Sequence, residues 1–239
     1  MRLAIHQPQY WPWPRYLHKA LTADVFVYLD TVQFSKNGLQ NRNQIKTAQG
    51  PLWLTLPVSQ KLGQTIRETR LADARAPQKH FKTLAASYAK TPGFQCWKAE
   101  LEPLLSPAGD SLCNLAIAST EWMLAKLGAR NRRLRASELT ALDPGLQASK
   151  LVAGICQLLG ARSYLTGRGA LEYMAPADFA TIGCAVEVQT WQPFTYEQAP
   201  AGSAFVPDLS TLDLLLNCPD AAAGMIAQAG GWETLWKAA

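Results

Sequence analysis

The first thirty residues read strand, helix, strand, and that order decides most of what the chain can become. "RLAI", Arg2 to Ile5, is a short apolar strand. "PRYLHKALTA", Pro14 to Ala23, opens with proline, which is pre-organised for the first turn of a helix. "DVFVYLD", Asp24 to Asp30, is rich in β-branched and aromatic residues and reads as a second strand. A strand followed by a crossover helix and another strand closes into a parallel pair, so the fold class predicted is α/β with a mostly parallel sheet.

Later segments extend that frame. "PLWLTLPV", Pro51 to Val58, pairs as a hairpin with "RNQIKT" across "AQG", and "IRETRLA" adds a further strand. A helix runs from Pro77 to Tyr88, where "TPGF" stops it. A second follows in "SLCNLAIASTEWMLAKLG", whose apolar residues fall near helical spacing until Gly128. "RRLRASEL" is a strand leading into a loop. "SKLVAGICQLLGA", Ser149 to Ala161, is an apolar helix. "RSYLTGRGALEYM" is strand, glycine turn and helix, and "AVEVQTW" alternates as a strand. "LSTLDLLLNCP" is a helix capped by Ser210, with Asp213 in its first turn. With 239 residues, 48% of them hydrophobic, the chain can bury a sizeable core. The expected organisation is one α/β domain over 1–239. It divides into lobes of about 1–76 plus 129–220, with a helical section at 77–128.

In an open α/β sheet, ligands bind beyond the carboxyl ends of the strands. His6 follows the first strand, Asp30 the second, and "TGRGA", Thr166 to Ala170, the strand "RSYL". If those strands are parallel neighbours, the three features line one rim. His6 is then a candidate base or polarising group, and Asp30 a candidate to orient it, to hold an amine or to accept from ribose hydroxyls. Each has a plainer alternative: a histidine bonded to a backbone carbonyl, and a turn residue. Gly167, Arg168 and Gly169 at a helix start offer backbone N–H groups to an anion, or simply the torsions of a tight turn. Next comes "QFSKNGLQNRNQIK". Its Gln33, Lys36, Gln40, Asn41, Arg42, Asn43 and Lys46 offer many donors, and no Asp or Glu occurs between Val32 and Ser59. Such a stretch suits an anion with several oxygens, or else an exposed polar loop. Tyr10, Trp11, Trp13 and Tyr16 either stack on a ring or cover the start of the helix. His80, with Lys82 and Tyr88, is a weaker second cluster, and His18 reads as structural.

Several classes are disfavoured. No apolar run reaches the roughly 18 residues of a membrane span, and the first residues lack a secretory pattern, so a cytoplasmic protein is expected. Cys96, Cys113, Cys156, Cys184 and Cys218 form no close pair, which argues for buried free thiols rather than disulfides or zinc. No G-x-S-x-G or H-E-x-x-H occurs, so no metal ligands are assigned, and the cofactor is left unknown. The net charge of +5 suits a small anionic partner, such as a nucleotide sugar or phosphate ester. Nucleic acid is disfavoured, because "ARNRRLR", Ala129 to Arg135, has no interleaved aromatics and reads as a solvated turn and strand edge.

"IHQPQYWPW", "ADVFVYLDTVQFSKNGLQNRNQIK", "YLTGRGALEYM" and "FVPDLSTLDLLLNC" together resemble the WbqC-like protein family, from residue 3 to about 220. The matching positions are His6, Gln7, Pro8, Tyr10, Pro12, Asp30, Gln33, Phe34, Lys36, Gln40, Asn41, Arg42, Asn43 and Lys46. Later ones are Gly167, Gly169, Tyr173, Ser210 and Asp213. Pro14 and Gly38 depart from the family's usual residues, which puts substrate shape in question. The resemblance implies a bacterial enzyme of O-antigen-type lipopolysaccharide or other surface-polysaccharide biosynthesis. Its expected reaction is transfer of an acyl or aminoacyl-type group to a nucleotide-linked or phosphorylated amino sugar. Lys36, Arg42 and Lys46 would neutralise phosphate, and Gln7, Tyr10, Tyr173 and Asp213 would line the substrate site. Two alternatives stand beside it: an ATP- or nucleotide-using ligase or nucleotidylyltransferase, and a non-catalytic nucleotide-sugar binding module. The opening loop, helix and "ADVFVYLD" also have the shape of the nucleotidylyltransferase-like fold, although the second histidine of its H-x-G-H motif is missing here.

Overall fold

The computed structural model describes residues 1–200, 202 and 204–237. Its centre is a six-stranded sheet, five strands of which are parallel. β1 (Arg2–His6) and β2 (Val25–Tyr28) pair in parallel, His6 opposite Tyr28, and α1 (Pro14–Thr22) crosses between them. Proline at the first helical position starts α1, and the Ala23 N–H closes it on the Lys19 carbonyl. β7 (Arg132–Arg135) lies parallel to β2 at one edge, so the arginine-rich run forms a strand edge as expected.

On the other side of β1 comes β8 (Ser163–Thr166), then β9 (Ala185–Trp191), both parallel. β10 (Gly230–Trp236) closes that edge antiparallel to β9. The sheet therefore extends past residue 220, to a terminal strand that the sequence did not announce. Its two glycines and half-exposed side chains carry little strand signal.

Alternation of side chains sorts the core into two layers. Leu3, Ile5, Val25, Val27 and Tyr164 face α5 (Ala148–Leu158) and α6 (Pro176–Thr181). Ala4, Phe26, Tyr28 and Leu165 face α1 and the helical section on the opposite side. Strands covered on both faces read as continuous apolar runs, which is why β1 and β2 were visible in the sequence.

The helical section comprises α2 (Ala76–Tyr88), α3 (Pro92–Leu104) and α4 (Leu112–Lys126). "TPGF" does end α2, and it also starts α3, with Pro92 in the first turn. α7 (Thr211–Asn217) begins where Ser210 Oγ accepts from Leu212 N at 3.1 Å, and α8 (Ala222–Ala229) leads into β10. α3 approaches α7 so closely that a Cβ on Gly93 would lie 2.3 Å from the Leu215 carbonyl oxygen.

The hairpin of β3 (Arg42–Thr47) and β4 (Gly50–Thr55) is present and stands outside the main sheet. The strand expected in "IRETRLA" shrinks to β6 (Arg70–Leu71), paired with β5 (Val58–Ser59). The helix expected after the glycine turn is a short 3-10 segment, Arg168–Glu172. Three cysteines are buried, whereas Cys96 is exposed and Cys218 only partly covered, so the expectation of buried thiols holds for Cys113, Cys156 and Cys184.

Candidate functional site

Strand order reverses beside β1. From β1 the chain steps to β2 and β7 on one side, then returns through α5 to lay β8 and β9 on the other. Two neighbouring parallel strands whose connections leave in opposite directions open a crevice at their carboxyl ends. A cleft of about 740 Å³ occupies that position. His6 reaches it from the end of β1, Gly167, Arg168 and Gly169 from beyond β8, and Gln189 and Trp191 from β9. Arg15 and Lys19, four residues apart on one face of α1, supply its other wall. Among the described residues, no Asp or Glu lines it.

This chemistry is directional. Lys19 is only 8% exposed, and burial lowers its pKa to about 8. Its ammonium sits against the backbone of Gly167, where a Cβ would lie 3.6 Å from Nζ. Arg15 is flanked by Trp13 and Trp191, its guanidinium carbon 5.5 and 5.8 Å from their ring centres. Arg15 Nε is buried with no hydrogen-bond partner among the described residues. Burial, then the nearby Lys19 charge, push the His6 pKa down to about 3, against the hydrogen bond to Gln7. The imidazole is thus neutral, and Nδ1 lies 3.1 Å from the Gln7 carbonyl. A carbonyl only accepts, so Nδ1 carries the hydrogen and Nε2 keeps its lone pair. Behind the cleft His18 meets Gln189 Nε2 at 2.8 Å and stacks on Trp232, a structural role.

His6, Gln7, Gly167, Arg168, Gly169 and Tyr173 of the expected site are brought together here. Asp30 is not joined to them. Its two carboxylate oxygens accept from Ser137 N at 2.9 Å and Ser137 Oγ at 2.7 Å, and it lines a neighbouring pocket. The expected His6–Asp30 partnership is therefore corrected: the imidazole is oriented by the Gln7 carbonyl. Tyr10 is also absent from the cleft, being fully buried with its hydroxyl 2.9 Å from His80 Nδ1.

None of the polar residues from Gln33 to Lys46 lines the cleft. Gln33 bridges Thr65 on the surface, and Lys36 is exposed. Gln40 donates to Gln7 Oε1 at 2.7 Å and accepts from Ser35 N. Asn41 donates to the Leu56 carbonyl, and Asn43 to the Trp11 carbonyl, at 2.8 and 2.7 Å. Arg42 donates to the Asn37 carbonyl and lies 4.5 Å over Trp53. Lys46 is buried, with its charge beside Asp213. Asp213 is itself fully buried, accepting from the Tyr88 and Tyr196 hydroxyls, and burial raises its pKa. The donors of this stretch thus go to the Gln7 side chain and to the Asn37, Leu56 and Trp11 carbonyls, and the cations that line the cleft are Arg15 and Lys19 of α1 and Arg168. Arg15, Lys19, Gln189 and Trp191 went unnoticed in the sequence. A visible signal was the Arg15/Lys19 spacing, on a crossover helix that starts just past the first strand end.

Among the described residues, no group of three or more His, Cys, Asp or Glu is placed to hold a metal ion, and no helix is long and apolar enough to cross a membrane. A model of the WbqC-like protein family matches residues 7–224. The chain belongs to this family. A similar protein is the uncharacterized protein Rv1507c of Mycobacterium tuberculosis, 30% identical over 227 residues that cover 90% of this chain and 93% of that one. No solved structure matches this WbqC-like chain, and the expected likeness to the nucleotidylyltransferase fold is not confirmed.

Proposed function

We propose that this WbqC-like protein is a cytoplasmic transferase of bacterial surface-polysaccharide biosynthesis. In this reading it moves an acyl or aminoacyl-type group onto a nucleotide-linked or phosphorylated amino sugar. One observation carries the reading: an acid-free cleft at the switch point of a parallel sheet, walled by Arg15, Lys19 and Arg168. Three cations with no carboxylate opposite them suit a phosphate or diphosphate. Trp13 and Trp191 offer apolar faces to the sugar or base beside it.

His6 Nε2 then receives the proton that the sugar amine loses as its nitrogen attacks the acyl carbon, while the donor's leaving group departs with the bonding electrons. A base held near 3 is weak, but a bound anion raises it by offsetting the Lys19 charge. His6→Ala should lower turnover about 10²–10⁴-fold with the fold intact. A thermal-shift and calorimetric screen of nucleotide-linked amino sugars, run on the wild type and on Lys19→Gln, provides the binding test. A ligand that stabilises both proteins equally would remove the cleft from the reading.

The low basicity of His6 favours a second reading, a binding module without turnover. In that case His6→Asn keeps both ligand affinity and biological activity. In the transferase it keeps affinity alone.

A further inference from the structure

We propose that the pocket beyond β2 and β7 is a second anion site, built for a phosphomonoester group. It is independent of the cleft and of the reaction assigned there. The pocket encloses about 290 Å³. Arg67 and Arg70 enter it from the segment ending in β6, and Arg135 from the last position of β7. Asp30 and Ser137 form its inner wall, and Asn114 lies across from them.

These guanidinium groups are poorly matched by the protein. Arg67 makes no side-chain hydrogen bond or ion pair among the described residues. Arg135 Nη1 donates to a neutral acceptor, Asn114 Oδ1, at 2.8 Å. Arg70 meets Asp110 at 3.3 Å, in a pair whose side chains are 54% and 56% exposed, so water weakens it. The buried carboxylate of Asp30 already accepts a hydrogen bond on each oxygen and fixes the Arg135–Ser137 corner. Three forked donors reaching one small space from two segments match a tetrahedral dianion, which offers oxygens on every side. A monocarboxylate would leave one fork unused.

Inorganic phosphate and an organic phosphomonoester share this chemistry, so both serve as probes. Equilibrium dialysis with radiolabelled phosphate is run on an Arg15→Gln/Lys19→Gln protein, in which the cleft has lost two cations. About one phosphate per chain should still bind. Adding Arg67→Gln and Arg70→Gln, both at exposed positions, should weaken it at least about tenfold, and Arg135→Gln should do the same. Lys61→Gln/Lys90→Gln removes two charges elsewhere and should change nothing. Glycerol 3-phosphate displacing the label at equal or lower concentration identifies the organic ester as the ligand; displacement only at much higher concentration identifies free phosphate. Loss of all binding with the cleft cations, or equal weakening in the Lys61/Lys90 control, overturns the site.

Discussion

Lys19 contributes one of the cleft's three cations, and its own environment limits the pH range over which it is charged. Burial brings its pKa to about 8, so it is a cation at neutral pH and becomes neutral as pH rises through that value. Affinity for a dianionic ligand, followed by calorimetry from pH 6.5 to 9.5, should therefore be highest below 8 and fall above it. Lys19→Arg should abolish the fall, since guanidinium stays charged throughout. Asn43 acts at the same scale away from the cleft. It holds the Trp11 carbonyl, in a residue whose φ of 49° lies in the left-handed region. Asn43→Ala leaves that buried oxygen unpaired, and urea unfolding should show a loss of about 1–3 kcal/mol. Composition told that this stretch is full of hydrogen-bonding groups, but not where they point. Asn41 and Asn43 turn inward to the backbone carbonyls of Leu56 and Trp11, so these two donors of a segment that looks made for phosphate brace the segment after β4 and the loop after β1 instead.

Among the elements, β1, α1 and β2 were legible because both faces of the strands are buried and a proline marks the helix start. β10 and α6 were not: one is a half-exposed edge strand begun by paired glycines, the other a six-residue helix. The carboxyl-end placement of His6 and "TGRGA" also followed from sequence, since it needs only strand direction. The cations of α1 needed knowledge of which helix face turns toward β8. The α3–α7 contact gives the sharpest test at this scale. Gly93→Ala drives a methyl into the backbone of Leu215, and α3 must move off α7. Overpacking of this kind costs about 1–3 kcal/mol. At roughly 2–4 °C per kcal/mol for a chain of this size, the melting temperature should fall by several degrees in differential scanning fluorimetry. An unchanged value would mean the helices are not so close.

For the whole molecule, the two pockets lie along the carboxyl edge of one sheet, and the Leu29 N–H to His6 carbonyl bond of 2.8 Å ties the strand ends that separate them. A ligand that binds only the folded chain adds about 2.7 kcal/mol at a hundred times its Kd. With the same conversion, a saturating nucleotide-linked amino sugar should raise the melting temperature by roughly 5–10 °C. Lys19→Gln should shrink that rise without lowering the unliganded value, because the change removes a poorly solvated cation.

The reversal of strand order beside β1 carries a further consequence, in time rather than space. Most of one bank of the basin is encoded before residue 20 and most of the other after residue 160, so a ribosome has emitted most of the polypeptide before the two can meet. Half-made copies hold the cationic bank with nothing facing it. The basin is complete only late, once β8 and β9 have docked, and a truncated product carries Arg15 and Lys19 but no vessel.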